Sequence, residues 1–249
     1  MNFISPFKHP SVMVFKGAID SQENLYKFAS FFGNPTDFYT DNRHYSKEKP
    51  WLFCLANESA KQYVGEGISN PGIGGYWHND YGFRLDLPKY TMIRCVMIPS
   101  EGGQTLFADT ISAYEDLPIN IKMRLENLWA IRDSGGLSDK NVAHKLVMLH
   151  PIFNKKHLFF SYRHLNRFLN SRNEILDSDR DIELANYLKE HVTQEKYIFT
   201  HTWEPNDLVI WDNRCVMHRV NHHNFDNSLQ PRWLERIVIK GDIVGKIVD

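Results

Sequence analysis

Cysteine is scarce in this chain of 249 residues: Cys54, Cys95 and Cys215 are its only three, far apart, and no two are spaced as Cys-x-x-Cys. That excludes a disulfide framework and offers no zinc or redox pair, so a reducing, cytoplasmic setting is expected. An excess of charge of one sign is missing too. Lys plus Arg number 29 against 30 for Asp plus Glu, a formal net charge of −1, which leaves no long-range field to gather a phosphate backbone or an anionic lipid surface. Nucleic acid and membrane are therefore not expected as partners, whereas self-association into a homo-oligomer stays open. Long apolar runs are absent. The stretch from Tyr90 to Pro99 is interrupted by Arg94 and falls far short of the roughly 20 residues a spanning helix needs. Near the N-terminus, Pro6, Lys8, His9 and Pro10 break any signal-peptide core. There is no internal repeat or low-complexity linker, and the 14 Gly and 11 Pro are spread along the chain. One domain over residues 1–249 is expected, and at this length its core needs no disulfide or metal to form.

Helical spacing is clearest over Ser21 to Phe32, where Leu25, Phe28, Phe31 and Phe32 recur after a Ser start and Gly33 follows. Ala113 to Leu128 and Asp179 to Val192 predict two further helices. Elsewhere the pattern alternates with a period near two. Tyr90 to Ile98, Leu158 to Tyr162, Tyr197 to Trp203, Leu208 to Trp211 and Arg236 to Lys240 are rich in Val, Ile, Phe and Tyr and are bounded by turn residues. Asn206-Asp207 and Asp212-Asn213 read as turns. The pattern predicts a mainly β protein, a sandwich or jelly roll with helices packed outside. The polar stretch from Asp133 to Lys145, with Gly135-Gly136 inside it, reads as a mobile loop, either a plain surface excursion or a lid over a site.

His78-Asn79-Asp80 is the first candidate for chemistry, because residues i and i+2 of a strand share a face. With 12 His in the chain, about one His-x-Asp pair arises by chance, so the motif alone decides nothing. Two His and one carboxylate on one face suit non-haem Fe(II), leaving open positions for a chelating cosubstrate and dioxygen. The second His must come from a distant strand. His218 is the best placed, after an apolar strand and a turn; His222 and His223 compete, in a run (Asn221 to Asn224) that reads as a solvated loop. A cosubstrate with two carboxylates also needs a fixed cation. Arg232 and Arg236 stand four apart in a strand pattern and share a face, and guanidinium suits bidentate carboxylate recognition. The ordinary reading of either Arg by itself is an exposed salt bridge.

These residues carry a resemblance. Trp77-His78-Asn79-Asp80, then Pro99-Ser-Glu-Gly-Gly-Gln-Thr-Leu-Phe-Ala-Asp109 and Ala113-Tyr114-Glu115, resemble the metal-binding segment of the taurine dioxygenase (clavaminate synthase-like) family of Fe(II)/2-oxoglutarate enzymes. Trp203 to Asn213 with His218 is similar to that family's Trp-x-Pro-Asn-Asp … Trp-Asp-Asn-Arg … His block. Arg232, Arg236 and Gly241-Asp242 resemble its closing segment. The blocks run in order over nearly the whole chain.

The resemblance implies a double-stranded β-helix and a set of roles. His78, Asp80 and His218 would bind Fe(II), Thr105 and Arg232 would hold the distal carboxylate of 2-oxoglutarate, and Arg236 would face the primary substrate. The implied activity is O2-dependent oxidation, hydroxylation foremost, of a small anionic compound with release of succinate and CO2. Desaturation, cyclisation or another oxidative rearrangement shares every one of these residues, and a non-catalytic β-barrel that binds a small acid is the alternative of another class. Halogenation is not expected, since Asp80 occupies the position a halide needs. Because Arg236 should be a second cation in an enclosed site, an anionic group on the substrate is its expected partner, with Glu235 or Asp242 as internal alternatives. Tyr81, Phe83 and Tyr162 are candidate pocket aromatics. Gly74-Gly75-Tyr76 replaces a polar run often present in the family, which leaves the primary substrate undefined.

Overall fold

Alternation of period two builds two antiparallel sheets that face each other. The larger has the order β1 (Val12–Phe15), β12 (Leu208–Asp212), β4 (Tyr90–Met97), β14 (Trp233–Ile239) and β2 (Pro35–Thr36), with β3 (Phe53–Ala56) also paired to β14. The smaller has the order β11 (Ile198–His201), β5 (Thr105–Asp109) and β13 (Val216–Val220). Phe107 of β5 and Val216 of β13 pack on Val209 and Trp211 of β12, Ile93 and Cys95 of β4 and Leu234 of β14. Each large side chain in this layer contributes roughly 1.5–3 kcal/mol by leaving water. The arrangement is the expected double-stranded β-helix. A four-stranded sheet, β10 (Leu165–Leu169), β6 (Trp129–Arg132), β7 (Asn141–Lys145) and β15 (Lys246–Val248), and a hairpin of β8 (Val147–Leu149) with β9 (Lys156–Leu158) complete the strands. The structure, a computed structural model, describes residues 3–36, 48–60, 63, 74–132, 141–161, 165–221 and 230–248.

Helices cover the outer faces. In α1 (Gln22–Ser30), Ser21 caps the N-terminus by accepting from the Asn24 N–H, and Leu25 and Ala29 pack on Met92, Leu208, Ile210, Ile237 and Ile239 of the large sheet. Phe31, expected on that face, is 87% exposed. Six residues beyond Leu25 it has turned about 240° around the helix axis, away from the Leu25 stripe. The helix expected over 113–128 is two helices, α2 (Thr110–Glu115) and α3 (Ile119–Leu125). Pro118 separates them, because its ring blocks α-helical continuation from the residue before it. Asp109 accepts from the N–H groups of Ile111 and Ser112 to cap α2. The third expected helix is α4 (Ser178–Val192), capped by Asp177. Of the expected 133–145 loop, residues 141–145 form β7, paired with β6 and β15; residues 133–140 lie outside the described residues.

A buried ion pair ties α1 to the large sheet. Arg94 and Glu235 are register partners on β4 and β14 and pair at 2.6 Å, while Arg94 also donates to the carbonyls of Ile19 and Asp20. Glu235 in turn accepts from the Gln22 side chain. Removing one partner strands the other charge under the helix. Glu235→Ala is expected to lower the free energy of unfolding by about 3–5 kcal/mol in urea denaturation, and Arg94→Met with Glu235→Leu to recover most of that loss. Equal stability of the single and double variants would contradict the pairing.

Candidate active site

His78 does not lie in a regular strand. It forms an isolated antiparallel bridge with His218 at the end of the barrel, exchanging both backbone hydrogen bonds (3.1 and 2.9 Å), and the chain then turns at Asp80. The bridge works as the expected strand would have. It sets the two rings 4.2 Å apart and leaves each Nε2 3.8 Å from Asp80 Oδ1. One donor atom from each of His78, Asp80 and His218 falls within 4.8 Å of the others. Gly74 helps seat this segment: at φ +89° its carbonyl turns to accept the Val220 N–H of β13.

The donor chemistry suits a divalent metal of the N/O-preferring kind. His78 Nδ1 donates to the Tyr76 carbonyl at 2.7 Å, so its Nε2 carries the lone pair and faces Asp80. Burial pushes the His78 imidazole pKa down and the His218 imidazole to about 3, with the neighbouring imidazole adding to the latter, so both stay neutral as ligands must. Burial pushes the Asp80 carboxyl up, but Arg236 above all, with His218, His78 and the Thr91 hydroxyl, overcomes this and holds it at about 2. His218 is steered by packing: its ring lies against Trp211 and Phe107, at 4.6 and 6.3 Å between centroids.

A second cluster, His150, Asp212 and Cys215, has comparable spacing and different chemistry. His150 Nδ1 accepts from the N–H groups of Ile152 and Phe153, so Nε2 carries the proton and donates to Asp212 at 3.0 Å. Asp212 is bound by Arg214 as well, and burial pushes the Cys215 thiol well up. With both imidazole nitrogens committed, this cluster is a structural hydrogen-bond network that closes the β12–β13 turn.

The other expected residues also come together. Arg232 precedes β14, and with Leu234 and Arg236 it faces the barrel interior. Arg232 is 9% exposed; its Nη2 donates to the Gly103 carbonyl at 3.4 Å and its Nε has no acceptor among the described residues. Burial pushes this guanidinium down to about 10, still a cation at neutral pH. A buried cation with no carboxylate beside it among the described residues fits an acidic ligand. Gly103, at φ +71°, gives it room, since a Cβ there would meet Arg232 Nε at 3.3 Å. Thr105, buried at the head of β5, accepts from Trp203 Nε1 at 3.0 Å, which leaves its own proton to donate.

Arg236 already has an acid of the protein beside it. Its Nη1 donates to Asp80 Oδ1 at 3.1 Å and its Nη2 to the Tyr81 hydroxyl at 2.9 Å, between the rings of Phe53 and Tyr81. The internal acid is therefore Asp80, and neither Glu235, which points to the other face of β14 and pairs with Arg94, nor Asp242. Tyr81 reaches Arg236 through a left-handed backbone (φ +50°) that turns the chain back right after Asp80, a contact no spacing rule reveals. Phe83 packs on Tyr81. His222, His223 and Tyr162 lie outside the described residues.

Two neutral imidazoles and a carboxylate on one face of a double-stranded β-helix, with a buried cation that has no carboxylate beside it among the described residues, are the donor set of a mononuclear non-haem metal dioxygenase. The sequence model of the family described as "Taurine catabolism dioxygenase TauD, TfdA family" matches residues 7–238. The chain belongs to this family of Fe(II)-, 2-oxoglutarate- and O2-dependent enzymes. It is 30% identical over 232 residues to the alpha-ketoglutarate-dependent 2,4-dichlorophenoxyacetate dioxygenase of Burkholderia sp. (strain RASC), covering 84% of this chain and 75% of that protein. A putative alpha-ketoglutarate-dependent taurine dioxygenase from Burkholderia xenovorans superposes with a TM-score of 0.78 at 21% identity, over 96% of this chain and 84% of that one, a likeness of fold. AAD-2, solved in complex with Mn(II) and N-oxalylglycine, superposes with a TM-score of 0.73 at 28% identity, over 93% and 83%.

The pairing of Asp80 with Arg236 separates two substitutions that a purely catalytic view treats alike. Both His78→Ala and Asp80→Ala should abolish metal binding in an anaerobic titration. Asp80→Ala should in addition lower metal-free stability by about 3–5 kcal/mol, because it strands a buried guanidinium; His78→Ala should lower it far less. Equal melting temperatures of the two metal-free variants would contradict the Asp80–Arg236 pair.

Proposed function

We propose that this chain is a single-domain cytoplasmic dioxygenase that oxidises, by hydroxylation, a small organic anion while converting 2-oxoglutarate to succinate and CO2. The observation that carries the reading is the closed donor set of His78, Asp80 and His218 with buried Arg232 on the same interior. The three buried free cysteines favour a reducing compartment, and no helix among the described residues is long and apolar enough to cross a membrane.

In this reading His78, Asp80 and His218 hold Fe(II), Arg232 and the Thr105 hydroxyl fix the distal carboxylate of 2-oxoglutarate, and Arg236 meets the anionic group of the substrate. Fe(II) with 2-oxoglutarate supplies the oxidising power, one oxygen atom of O2 passing to succinate and the other into a substrate C–H bond. The chain supplies everything else. Neutral imidazoles and an ionised Asp80 present lone pairs without first losing a proton. Arg232 sets the distance of the cosubstrate from the metal by holding its far end, and the aromatic wall of Phe107, Trp211 and Tyr81 excludes water from the charges between the sheets. Arg236 is shared: it neutralises Asp80 and offers the same guanidinium to an incoming anion, so substrate charge is drawn to the side of the metal. The 2,4-dichlorophenoxyacetate named for one relative carries such a carboxylate, which favours an anion here.

The direct test is anaerobic loading with Fe(II) and 2-oxoglutarate, then a screen of carboxylates, sulfonates and sulfate esters for O2-dependent succinate release. No compound-triggered release, with both cofactors bound, would leave the acid-binding barrel as the reading. Arg232→Ala leaves the cosubstrate carboxylate without a partner in a buried place and should raise the 2-oxoglutarate requirement by two to four decades, on the order of 3–5 kcal/mol. An unchanged requirement would move that role elsewhere. Arg236→Gln should raise the KM of an anionic substrate steeply while substrate-independent decarboxylation of 2-oxoglutarate survives at saturating Fe(II). A neutral compound turned over equally by both forms would overturn the anion preference.

A further inference from the structure

The carboxylate of Asp80 has two oxygens with different surroundings. Oδ1 faces both imidazole Nε2 atoms at 3.8 Å. Oδ2 faces the opposite way and accepts from the Thr91 hydroxyl at 2.7 Å. We propose that Thr91, oriented by Asn213, is a positioning residue: it commits Oδ2 of Asp80, so that Oδ1 alone would be offered, with the two imidazoles, to a metal held there. This rests on the reading of His78, Asp80 and His218 as the iron ligands.

The direction of every proton in this network is forced by its far end. Trp211 Nε1 is a donor only, and it meets Asn213 Oδ1 at 3.0 Å, which fixes the orientation of the amide. Asn213 Nδ2 therefore donates to Thr91 Oγ1, at 2.7 Å. A hydroxyl that accepts from an amide has its single proton to give elsewhere, and the ionised Asp80 is the acceptor in reach. Reversing the chain would set two donors against each other at Asn213 and two acceptors against each other between Thr91 and Asp80, in a place where Thr91, Trp211 and Asn213 are all buried. Burial makes any mismatch costly and the ordered arrangement stiff.

The fold locks both ends of this network to the ligand segment. Thr91 lies in the middle of the large sheet, with Trp211 of β12 and Val238 of β14 as register partners. Asn213 sits in the turn between β12 and β13. The intervening residue of the His-x-Asp motif, Asn79, donates to the carbonyls of Asn213 and Val216 at 3.1 and 2.9 Å. One turn thus positions Thr91 through its Asn213 side chain and the 78–80 segment through its backbone, five residues before His218.

The test compares wild type, Thr91→Val, Thr91→Ser and Asn213→Asp by anaerobic Fe(II) and Mn(II) titration, with melting curves of the metal-free proteins. Valine keeps the shape of threonine and removes the donor, so metal affinity should fall about 10- to 100-fold and serine should restore it. Asn213→Asp replaces the amide donor by an acceptor that draws the Thr91 proton away from Asp80, and should weaken metal binding to a similar degree even if Thr91→Val does not fold. Wild-type affinity in Thr91→Val or Asn213→Asp would overturn the proposal, as would equal loss in Thr91→Ser and Thr91→Val, which would assign the effect to packing. Failure of wild type to bind metal, or normal binding by Asp80→Ala, would instead refute the ligand assignment itself and the proposal with it.

Discussion

An ionised carboxylate sits between two packed sheets at Asp80, 4% exposed, and the site is organised around keeping it charged. Taken alone, such a group would neutralise or cost several kcal/mol, on the order of the penalty for any unpaired buried ion. Arg236 and Thr91 hold one oxygen each, and the Nε2 atoms of two neutral imidazoles face Oδ1 at 3.8 Å. The cluster therefore carries a balanced cation and anion before any metal arrives. A divalent ion drawn into it meets a carboxylate that is already ionised and already aimed.

Strand β14 supplies this balance because its two faces serve different layers. Arg232, Leu234 and Arg236 point between the sheets, while Glu235, Ile237 and Ile239 point at α1 and its flank. A one-residue slip would exchange them, setting Glu235 on the side of Asp80 and both guanidiniums on the side of α1, next to Arg94. Register in the centre of the large sheet is thus fixed by charge as well as by apolar packing. Three of the positive charges on this part of the sheet end in three different settings: Arg94 in an ion pair with Glu235, Arg236 on the Asp80 carboxylate, and Arg232 on the Gly103 carbonyl. Arg232 is the one of these three with no carboxylate beside it among the described residues, which suits it to an acidic ligand.

The histidines make the same point about context. His78 and His150 both approach a carboxylate, and both are buried or nearly so. His78 gives its Nδ1 proton to a backbone carbonyl and keeps a lone pair at Nε2; His150 receives two backbone N–H groups at Nδ1 and must donate from Nε2. Local backbone geometry, two residues upstream in one case and two to three downstream in the other, decides which can bind a metal.

Much of this was legible in the residues themselves. Period-two apolar runs and the Ser21 cap follow from local rules, and His78, Asp80, His218, Arg232 and Arg236 stand in an order that resembles one enzyme family block by block. Pro118 could have been read as a helix break from its missing N–H alone. Other features have no local signal. Tyr81 has a left-handed backbone and a phenol bound by Arg236 of a distant strand; Thr91 and Asn213 look like an ordinary strand residue and a turn residue until the sheets close over them; and Arg236 finds its acid 156 residues away in Asp80. Residue chemistry and periodicity determined which groups were available and which face of each strand they share. Tertiary structure alone decided which of them meet, because a hydrogen bond or ion pair between distant segments depends on sheet pairing and burial that no short stretch of chain encodes.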